Sequence, residues 1–276
     1  MKKFLMSLFC FLILTTSFSS YTAEAVSPSV DISVNNYIIK TDSEPFIKNS
    51  LTYVPIRFVS EALGFSVFWD GEENAATIRK GKDEAVYYVG EKSSVINGEE
   101  SVMEARAYNV NSRVFVPVRN VCEFLDASVT WNNELYIVDI ASGHNFNDNA
   151  RKKDYTKDDI FWMSRIIESE SGGEPINGKV AVGNVVLNRV KSLDFPNSIY
   201  GVIFDKKYGV QFEPTINGTI YNTPTHQSVS AAKRALNGEN NIGNCLYFLN
   251  PKIASSFWIV NNRQYYTTIS NHDFYL

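Results

Sequence analysis

Hydrophobic residues recur at helical spacing on both sides of a glycine pair in the second half of the chain. Upstream of the pair, the positions that share one helix face are Ile160, Met163, Ser164 and Ile167. Thr156 and Asp159 have the spacing of a capping box at the start of this face. Downstream, Pro175 suits the first position of a second helix, and residues 180–187 are apolar on nearly every side. The pattern predicts two buried helices joined at the glycine pair.

Three glutamates surround this junction, which is unusual beside a core. Glu168 and Glu170 lie about 200° apart on a helical wheel, so at most one of them faces the seam between the helices. A carboxyl held in that seam is poorly solvated, and its pKa rises in favour of the protonated acid. The alternative for each glutamate is a solvated or capping role, and Glu174 could favour the positive end of the second helix. Periodicity alone does not choose between Glu168 and Glu170.

An internal repeat occupies the first half of the chain. Residues 53–69 recur 62 positions later as residues 115–131, with nine identical residues that include Trp69 and Trp131. Each copy predicts a strand, a turn, a second strand, a short helix that opens at a proline, and a closing strand that carries the tryptophan. Two such units should pack into one compact α+β domain.

The start of the chain has the pattern of a secretory signal peptide. A basic start precedes an apolar run at residues 4–18, and Ala23-Glu24-Ala25 is a small-x-small cleavage site. We predict a signal peptide at residues 1–25, cut after Ala25. The later apolar runs are too short to span a bilayer, so the mature protein should be soluble outside the membrane.

Composition divides the mature chain into two domains. Residues 141–156 are rich in Gly, Asn, Asp and Lys, which marks a linker. We expect a repeat domain at residues 26–140 and a second domain at residues 157–276. The linker predicts that these two domains fold independently.

Charge, cysteines and histidines exclude several classes of function. The mature chain keeps 24 basic and 29 acidic residues, a net charge of −5, and nothing in it recruits nucleic acid. Cys122 and Cys245 belong to different segments and are expected as buried free thiols. The histidines are dispersed, and Cys-x-x-Cys, His-Glu-x-x-His and Gly-x-Ser-x-Gly motifs do not occur. We therefore predict no metal site, no cofactor and no serine nucleophile.

From about residue 157 to its end the chain resembles the SleB-type cell-wall hydrolases, the family of spore cortex-lytic enzymes. The segments that carry the resemblance, in order, are 170–175, 178–182, 187–190, 195–199, 201–204, 211–212, 231–238, 250–251 and 272–275. This resemblance implies a mainly helical, lysozyme-like domain. It also implies that Glu170 is the catalytic acid, because Glu170 is the first glutamate of the family's E-x-x-G-E-P pattern.

The resemblance implies a lytic transglycosylase, which needs one carboxyl group. Ordinary glycosidases use two carboxylates, whereas here one glutamate can serve first as acid and then as base. The substrate partner is the peptidoglycan glycan strand, cleaved between N-acetylmuramic acid and N-acetylglucosamine. Aromatic faces and amide groups suit a sugar-binding groove, although a core role is the alternative for each aromatic residue. The predicted groove residues are Gln211, Phe212, Tyr247, Asn250 and Trp258.

The repeat domain resembles the copper amine oxidase-like N-terminal domain, a module of many secreted and surface proteins. No copper-ligand set of histidines accompanies it, so oxidase activity is not implied. Arg57 and Arg119 resemble ligand-binding residues, but buried or capping arginines paired with Glu61 or Glu123 are the alternative. Adhesion to the cell wall and simple spacing are both compatible with the repeat.

The sequence as a whole predicts a secreted α+β protein of the cell wall or spore envelope. A repeated strand and short-helix module precedes a peptidoglycan-lytic domain. The alternatives are an N-acetylmuramoyl amidase and a non-catalytic peptidoglycan-binding protein. Spore cortex and vegetative wall are equally compatible with the sequence, and no oligomeric state is predicted.

Overall fold

The computed structural model describes residues 29–207 and 209–276, without the side chains of residues 152–154. The predicted signal peptide lies outside the described residues. The first half is built of strands and two short helices, and the second half is mainly helical, as the α+β prediction requires. In the described part of the chain, no helix is both long and apolar enough to cross a membrane.

The first half forms three sheets. Its strands are β1 (Asp31–Val34), β2 (Tyr37–Ile39), β3 (Phe46–Lys48), β4 (Leu51–Pro55), β5 (Ser66–Asp70), β6 (Ala75–Lys80), β7 (Asp83–Tyr88), β8 (Ser93–Ile96), β9 (Glu99–Val102), β10 (Tyr108–Val110), β11 (Arg113–Pro117), β12 (Ala127–Asn132), β13 (Ile137–Ser142) and β14 (Arg151–Thr156). Their orders are β12-β13-β1-β2-β14, β10-β11-β4-β3 and β5-β6-β7-β8-β9. The helices are α1 (Ile56–Ala62) and α2 (Val118–Phe124).

The two sequence repeats meet around an approximate twofold axis. Strands β4 and β11, which occupy equivalent positions in the two copies, pair antiparallel at the centre of the four-stranded sheet, with Val54 opposite Val116. Each short helix is capped by the proline of its repeat, Pro55 or Pro117, so the predicted helix openings are confirmed. The tryptophan strands β5 and β12 lie at equivalent edges of the two outer sheets.

The second half consists of helices around a central pair, with one small sheet. The elements are α3 (Lys157–Ser171), α4 (Ile176–Lys191), α5 (Ile199–Ile203), α6 (Pro214–Asn217), α7 (His226–Leu236), α8 (Trp258–Asn262), β15 (Tyr247–Leu249), β16 (Tyr265–Ile269) and β17 (His272–Tyr275). The predicted capping box is present at Thr156 and Asp159, and the predicted face of α3 is buried. Pro175 is the cap of α4, one position before the predicted place.

Helices α3, α4 and α7 pack closely because a glycine lies where they meet. A Cβ at Gly183 of α4 would lie 3.0 Å from Ile167 Cδ1 of α3 and 3.3 Å from Ala235 Cβ of α7. A side chain at position 183 would crowd both Ile167 and Ala235, so glycine favours the close packing of the three helices. The seam predicted between α3 and α4 is therefore a three-helix contact.

The segment at residues 141–156, predicted as a linker, holds regular secondary structure. Strand β13 extends to Ser142, a 3-10 turn spans Asp148–Ala150, and β14 pairs with β2 of the N-terminal sheet. The last residue of β14, Thr156, is also the cap of α3. Short polar side chains in this segment form turns and caps, which is why its composition resembled that of a linker.

The two halves, which the sequence predicts to fold independently, share a hydrophobic core. Ile38, Leu135 and Ile137 of the N-terminal half lie in one buried cluster with Ile160 and Met163 of α3. Ion pairs cross the same boundary, including one between Lys233 and Asp31 at 3.0 Å, in which both side chains are at least 95% buried. Composition could not show these contacts because they form only between distant segments.

Candidate active site

The C-terminal end of α3 is held by a buried lysine of α4. Lys179 Nζ donates to the carbonyl oxygens of Ser171 at 3.1 Å and Gly172 at 2.7 Å, and to Ser228 Oγ at 3.0 Å. The last carbonyls of a helix have no partner within the helix, so a cation placed there satisfies them and matches the helix dipole. This contact fixes the last turn of α3, which carries Glu168 and Glu170.

Glu168 is a structural carboxylate that ties α3 to the start of α7. Its Oε2 accepts hydrogen bonds from Thr225 N at 3.0 Å, Thr225 Oγ1 at 2.7 Å and Ser228 Oγ at 2.6 Å. Burial favours the neutral form, but the hydrogen bonds from Ser228 and Thr225 outweigh burial and hold the pKa of Glu168 below its ordinary value. Glu168 is therefore ionised at neutral pH.

Glu170 lies in a different environment, although only two residues away. Burial and the nearby carboxylate of Glu213 together raise the pKa of Glu170 to about 7, and the charge of Arg189 opposes this shift. Glu170 opens on a cleft of about 600 Å³. The other residues that line this cleft are Glu168, Ser169, Glu213, Pro214, Asn217, Thr219, Asn222 and Thr223. A carboxyl with this pKa can both donate and accept a proton at neutral pH.

Glu174 joins α4 to the small sheet. Its carboxylate accepts hydrogen bonds from Asn271 Nδ2 at 2.9 Å and Asn271 N at 3.3 Å, and lies 3.8 Å from His272 Nδ1. Burial raises the pKa of Glu174, but these hydrogen bonds more than offset it, so the pKa is lowered overall. The structure thus gives Glu174 a positioning role in the fold.

Arg189 is a buried cation that faces both Glu170 and the aromatic residues behind it. Its Nε donates to the carbonyl oxygen of Leu246 at 2.8 Å, and its guanidinium lies 5.7 Å from the ring of Tyr247. Burial lowers the pKa of Arg189 to about 10, and the charges of Tyr247, Asp205 and Glu170 oppose that shift. Among the described residues, its buried Nη1 has no hydrogen-bond partner.

Comparison with known proteins matches both halves of the chain to described families. Residues 173–275 match the family described as Cell Wall Hydrolase, and residues 33–140 match the Copper amine oxidase N-terminal domain. A cell wall hydrolase, CwlJ, of Oceanobacillus iheyensis is 32% identical over 98 residues, which are 33% of this chain and 68% of that protein. The chain belongs to the cell wall hydrolase family. Glu170 lies three residues before the range that the family matches.

Two further cell wall hydrolases are similar to the C-terminal half. A spore cortex-lytic enzyme of Bacillus cereus is 44% identical over 105 residues, which are 38% of this chain and 39% of that enzyme. The chain thus spans about two fifths of that relative's length. The solved catalytic domain of the germination-specific lytic transglycosylase SleB from Bacillus anthracis is 40% identical, with a TM-score of 0.42, over 45% of this chain and 98% of that domain.

Of the five predicted groove residues of this cell wall hydrolase, Phe212 requires correction. Phe212 is 2% exposed and belongs to the core around α3 and α4. The guanidinium of Arg189 covers its ring at 5.2 Å from the ring centroid. A side chain covered in this way cannot contact a sugar ring. The aromatic character of Phe212 was compatible with either role, and only packing decided between them.

The other four predicted residues lie outside the lining of the Glu170 cleft. Tyr247 and the 52% exposed Trp258 face each other with ring centroids 6.4 Å apart. Asn250 Oδ1 accepts from Lys252 N at 3.0 Å, and Gln211 Nε2 donates to the carbonyl oxygen of Gly209 at 3.2 Å, so both amides are engaged in turns. Tyr247 connects to the site through Arg189, and its use by a substrate stays a prediction.

Two residues of the site were missed by the sequence analysis. Glu213 raises the pKa of Glu170, and Arg189 lowers it. Both lie within or beside segments that carry the family resemblance, and Glu213 directly precedes the proline that opens α6. The sequence could have indicated Glu213 and Arg189 only as charged residues within or beside these segments. Their proximity to Glu170 depends on the tertiary fold.

Within residues 29–207 and 209–276, no cluster of three or more His, Cys, Asp or Glu side chains has the arrangement of a metal site. Cys122 and Cys245 are buried free thiols, as predicted. Burial raises the pKa of Cys122 to about 12, so its thiol stays protonated at neutral pH and is unreactive.

Proposed function

We propose that the C-terminal half cleaves the glycosidic bond between N-acetylmuramic acid and N-acetylglucosamine in peptidoglycan, as a lytic transglycosylase with Glu170 as the only acid and base. The observation that carries this proposal is the position of Glu170, half-buried at the wall of an open cleft with a pKa near 7. Membership of the cell wall hydrolase family supports the choice of polymer.

In the proposed reaction Glu170 first donates one proton and then takes one back. The protonated carboxyl of Glu170 donates its proton to the glycosidic oxygen as the bond from C1 to that oxygen breaks. The carboxylate then takes the proton of the muramoyl 6-hydroxyl, whose oxygen forms a new bond to C1 and gives a 1,6-anhydro end. Glu170 finishes in its starting state, and no water is consumed. Proton transfer of this kind contributes about 10²–10⁴-fold to the rate.

Glu213 supports a second candidate reaction, in which a water molecule attacks in place of the 6-hydroxyl. A hydrolytic glycosidase needs a second carboxylate as base or nucleophile. Glu168 is held by Thr225 and Ser228, whereas Glu213 is exposed and lines the same cleft as Glu170. If the reaction is hydrolytic, Glu213 is the base.

Mass spectrometry of digested, purified peptidoglycan separates these possibilities. Anhydro-muramoyl ends support the transglycosylase proposal. New reducing ends indicate hydrolysis, and freed stem peptides indicate an amidase. The digestion should proceed unchanged in EDTA, since the proposed proton transfers need no Lewis acid. Inactivation by EDTA with recovery on adding zinc would contradict the proposal.

Matched amide variants on α3 test the assignment of the acid. Glu170→Gln should lose nearly all lytic activity because the amide cannot donate the proton. Glu168→Gln is the control on the same helix, and it should keep most activity because its amide oxygen can still accept from Thr225 and Ser228. Thermal melting of both variants establishes that they are folded. Equal losses, or no loss in either variant, would remove Glu170 from the proposed role.

We further propose that the protein acts outside the cell membrane, on the wall or the spore envelope. The predicted signal peptide and the family membership support this location. Cell fractionation followed by N-terminal sequencing of the mature chain tests it, with Val26 as the expected first residue.

A further inference from the structure

The two sequence repeats form two equivalent surface grooves. The first groove, of about 210 Å³, is lined by Pro55, Ile56, Arg57, Val67, Phe68, Trp69 and Ala76 of the first repeat, with Asn109, Ser112, Arg113 and Val114 of the second. The second groove, of about 140 Å³, is lined by Pro117, Val118, Arg119, Val129, Thr130, Trp131 and Val138 of the second repeat, with Ser50, Leu51, Thr52 and Glu104 of the first. Ten of the eleven lining positions of each groove correspond through the 62-residue offset, so the approximate twofold axis relates the grooves.

Each groove exposes a tryptophan that the fold does not bury. Trp69 is 45% exposed and Trp131 is 39% exposed, on the edge strands β5 and β12. Tryptophan is a large apolar side chain whose exposure has a cost in free energy, and here both repeats place one at the same surface position. The flat face of an exposed aromatic ring is suited to stacking on a sugar ring.

An exposed arginine accompanies the tryptophan in each groove. Arg57 pairs with Glu61 at 3.1 Å, and Arg119 pairs with Glu104 at 2.7 Å, with arginine side chains that are 45% and 64% exposed. Ion pairs at such exposure contribute little to stability, so a ligand carboxylate can replace the protein carboxylate at small cost. The predicted pairing with Glu123 does not form, because Arg119 turns toward the groove wall.

We propose that the two grooves bind the glycan strands of peptidoglycan, with a sugar ring stacked on Trp69 or Trp131 and a carboxylate of the polymer bound by Arg57 or Arg119. The charge of the arginines complements an anionic amino-sugar polymer, and duplication of the groove suits a polymer that repeats. The identity of the polymer rests on the proposed function. The grooves add a binding activity that the catalytic cleft does not require.

The second groove leads toward the catalytic cleft. The ring of Trp131 lies 6.1 Å from that of Tyr136, and Tyr136 Oη lies 2.5 Å from His226 Nε2 at the start of α7. The residues just before His226 reach the cleft, since Thr223 is part of its lining. Because the two halves share a core, the groove and the cleft keep a fixed separation. A glycan strand held in the second groove is tethered to the same protein as Glu170, which raises the effective concentration of the polymer at the cleft.

Sedimentation with purified sacculi tests the proposal. The parent protein is full-length Glu170→Gln, which does not cut the polymer during the measurement. Trp69→Ala combined with Trp131→Ala should weaken binding at least tenfold, and each single substitution should weaken it less. Leu193→Ala is the control, since Leu193 is a fully exposed apolar residue after α4 and lies outside both grooves. Binding of the double variant equal to that of the parent would overturn the proposal.

A second pair of variants tests the carboxylate contact. Arg57→Gln with Arg119→Gln should weaken binding to sacculi at low salt and reduce the salt dependence, because fewer ions are exchanged on binding. An unchanged salt dependence would overturn the role of the arginines. Melting curves of each variant verify the fold.

The outcome stays distinct from that of the proposed function. With Glu170 present, the double tryptophan variant should cleave short soluble glycan fragments at the wild-type rate and cleave intact sacculi more slowly. Loss of sacculus binding in a protein that produces no cleavage products would retain the grooves and remove the proposed reaction. Normal cleavage by the wild-type protein, together with sacculus binding that the tryptophan substitutions do not alter, would retain the proposed reaction and remove the binding role of the grooves.

Discussion

Glu168 and Glu170, two positions apart in the same helix turn, have pKa values shifted in opposite directions because their surroundings differ. The carboxylate of Glu168 accepts three hydrogen bonds from Thr225 and Ser228, which stabilise its charge. Glu170 is half-buried and lies near the carboxylate of Glu213, and both effects destabilise its charge. Helical periodicity predicted that at most one of the two glutamates faces the seam between the helices. The hydrogen bonds with α7 decided that Glu168 is the structural carboxylate.

The charge of Glu213 sets part of the pH dependence. Glu213→Gln removes a negative charge that raises the pKa of Glu170, so the pKa of Glu170 should fall. In the proposed reaction Glu170 acts as an acid, so enzymatic activity should be lost as pH rises through this pKa. The alkaline limb of kcat/KM should therefore move to lower pH, with an unchanged maximum. Glu99→Gln on β9 is the distant control.

The height of the pH profile in the Glu213→Gln variant distinguishes the two candidate reactions. If Glu213 is a general base, Glu213→Gln should lower kcat about 10²–10⁴-fold at every pH. A shift of the limb alone supports a purely electrostatic role for Glu213.

Burial of Glu170 should also reduce stability at alkaline pH. The folded pKa is raised to about 7 from an ordinary value of 4.5, so the stability that the neutral carboxyl gives below pH 4.5 is lost as pH rises to 7. Glu170→Gln stays neutral, so it should unfold with a larger free energy than wild type above pH 7, by on the order of 3 kcal/mol. Urea unfolding at pH 4.5 and pH 8 measures this gap. A gap of equal size at both pH values would contradict the assigned pKa.

At the scale of elements, the end of α3 depends on α4 more than on its own sequence. Gly172 follows α3, but the carbonyls there are satisfied by Lys179 of the next helix. Burial lowers the pKa of Lys179, and the charges of Glu168 and Glu174 oppose that shift. The catalytic turn is thus positioned by a cation from another element.

Removal of this cation should affect both stability and catalysis. Lys179→Met leaves the carbonyl oxygens of Ser171 and Gly172 and the hydroxyl of Ser228 without this donor, which should reduce the free energy of unfolding by about 2–4 kcal/mol. Because the last turn of α3 loses its anchor, kcat should fall more than KM rises. Lys191→Met is the control, since Lys191 is exposed at the end of the same helix. Chemical denaturation and steady-state kinetics of both variants are the measurements, and equal behaviour would exclude an anchoring role.

At the scale of the whole molecule, the two family matches share a core and a buried ion pair, from which we expect one cooperative structure. Lys233 of α7 reaches across the boundary, where Nζ donates to the carbonyl oxygens of Ser29 at 2.6 Å and Tyr136 at 3.1 Å in addition to its pair with Asp31. The charges are buried, so their attraction is weakly screened. The catalytic half therefore relies on the repeat domain for part of its core.

Lys233→Met should destabilise both halves together. Removing one partner of a buried ion pair leaves the other charge uncompensated and costs about 3–5 kcal/mol. We expect wild type and variant to melt in a single transition, shifted downward in the variant. Arg79→Met, which removes an exposed pair with Glu84, should change the stability by at most about 1 kcal/mol. Two separate transitions in calorimetry would show that the halves fold independently.

The sequence by itself determined the elements whose signals are local. The capping box at Thr156, the buried face of α3, the helices opened by Pro55 and Pro117, and the α+β class follow from periodicity and cap chemistry, which act within a few residues. The repeat also identified the tryptophans, although not their exposure.

Tertiary structure alone decided the rest, because it depends on residues far apart in the chain. The core position of Phe212, the strand within the expected linker and the shared core of the two halves arise from long-range packing. The same holds for the pKa of Glu170, which depends on Glu213 and Arg189. Hydrophobic pattern specifies which side of an element is buried, whereas the fold specifies what covers it.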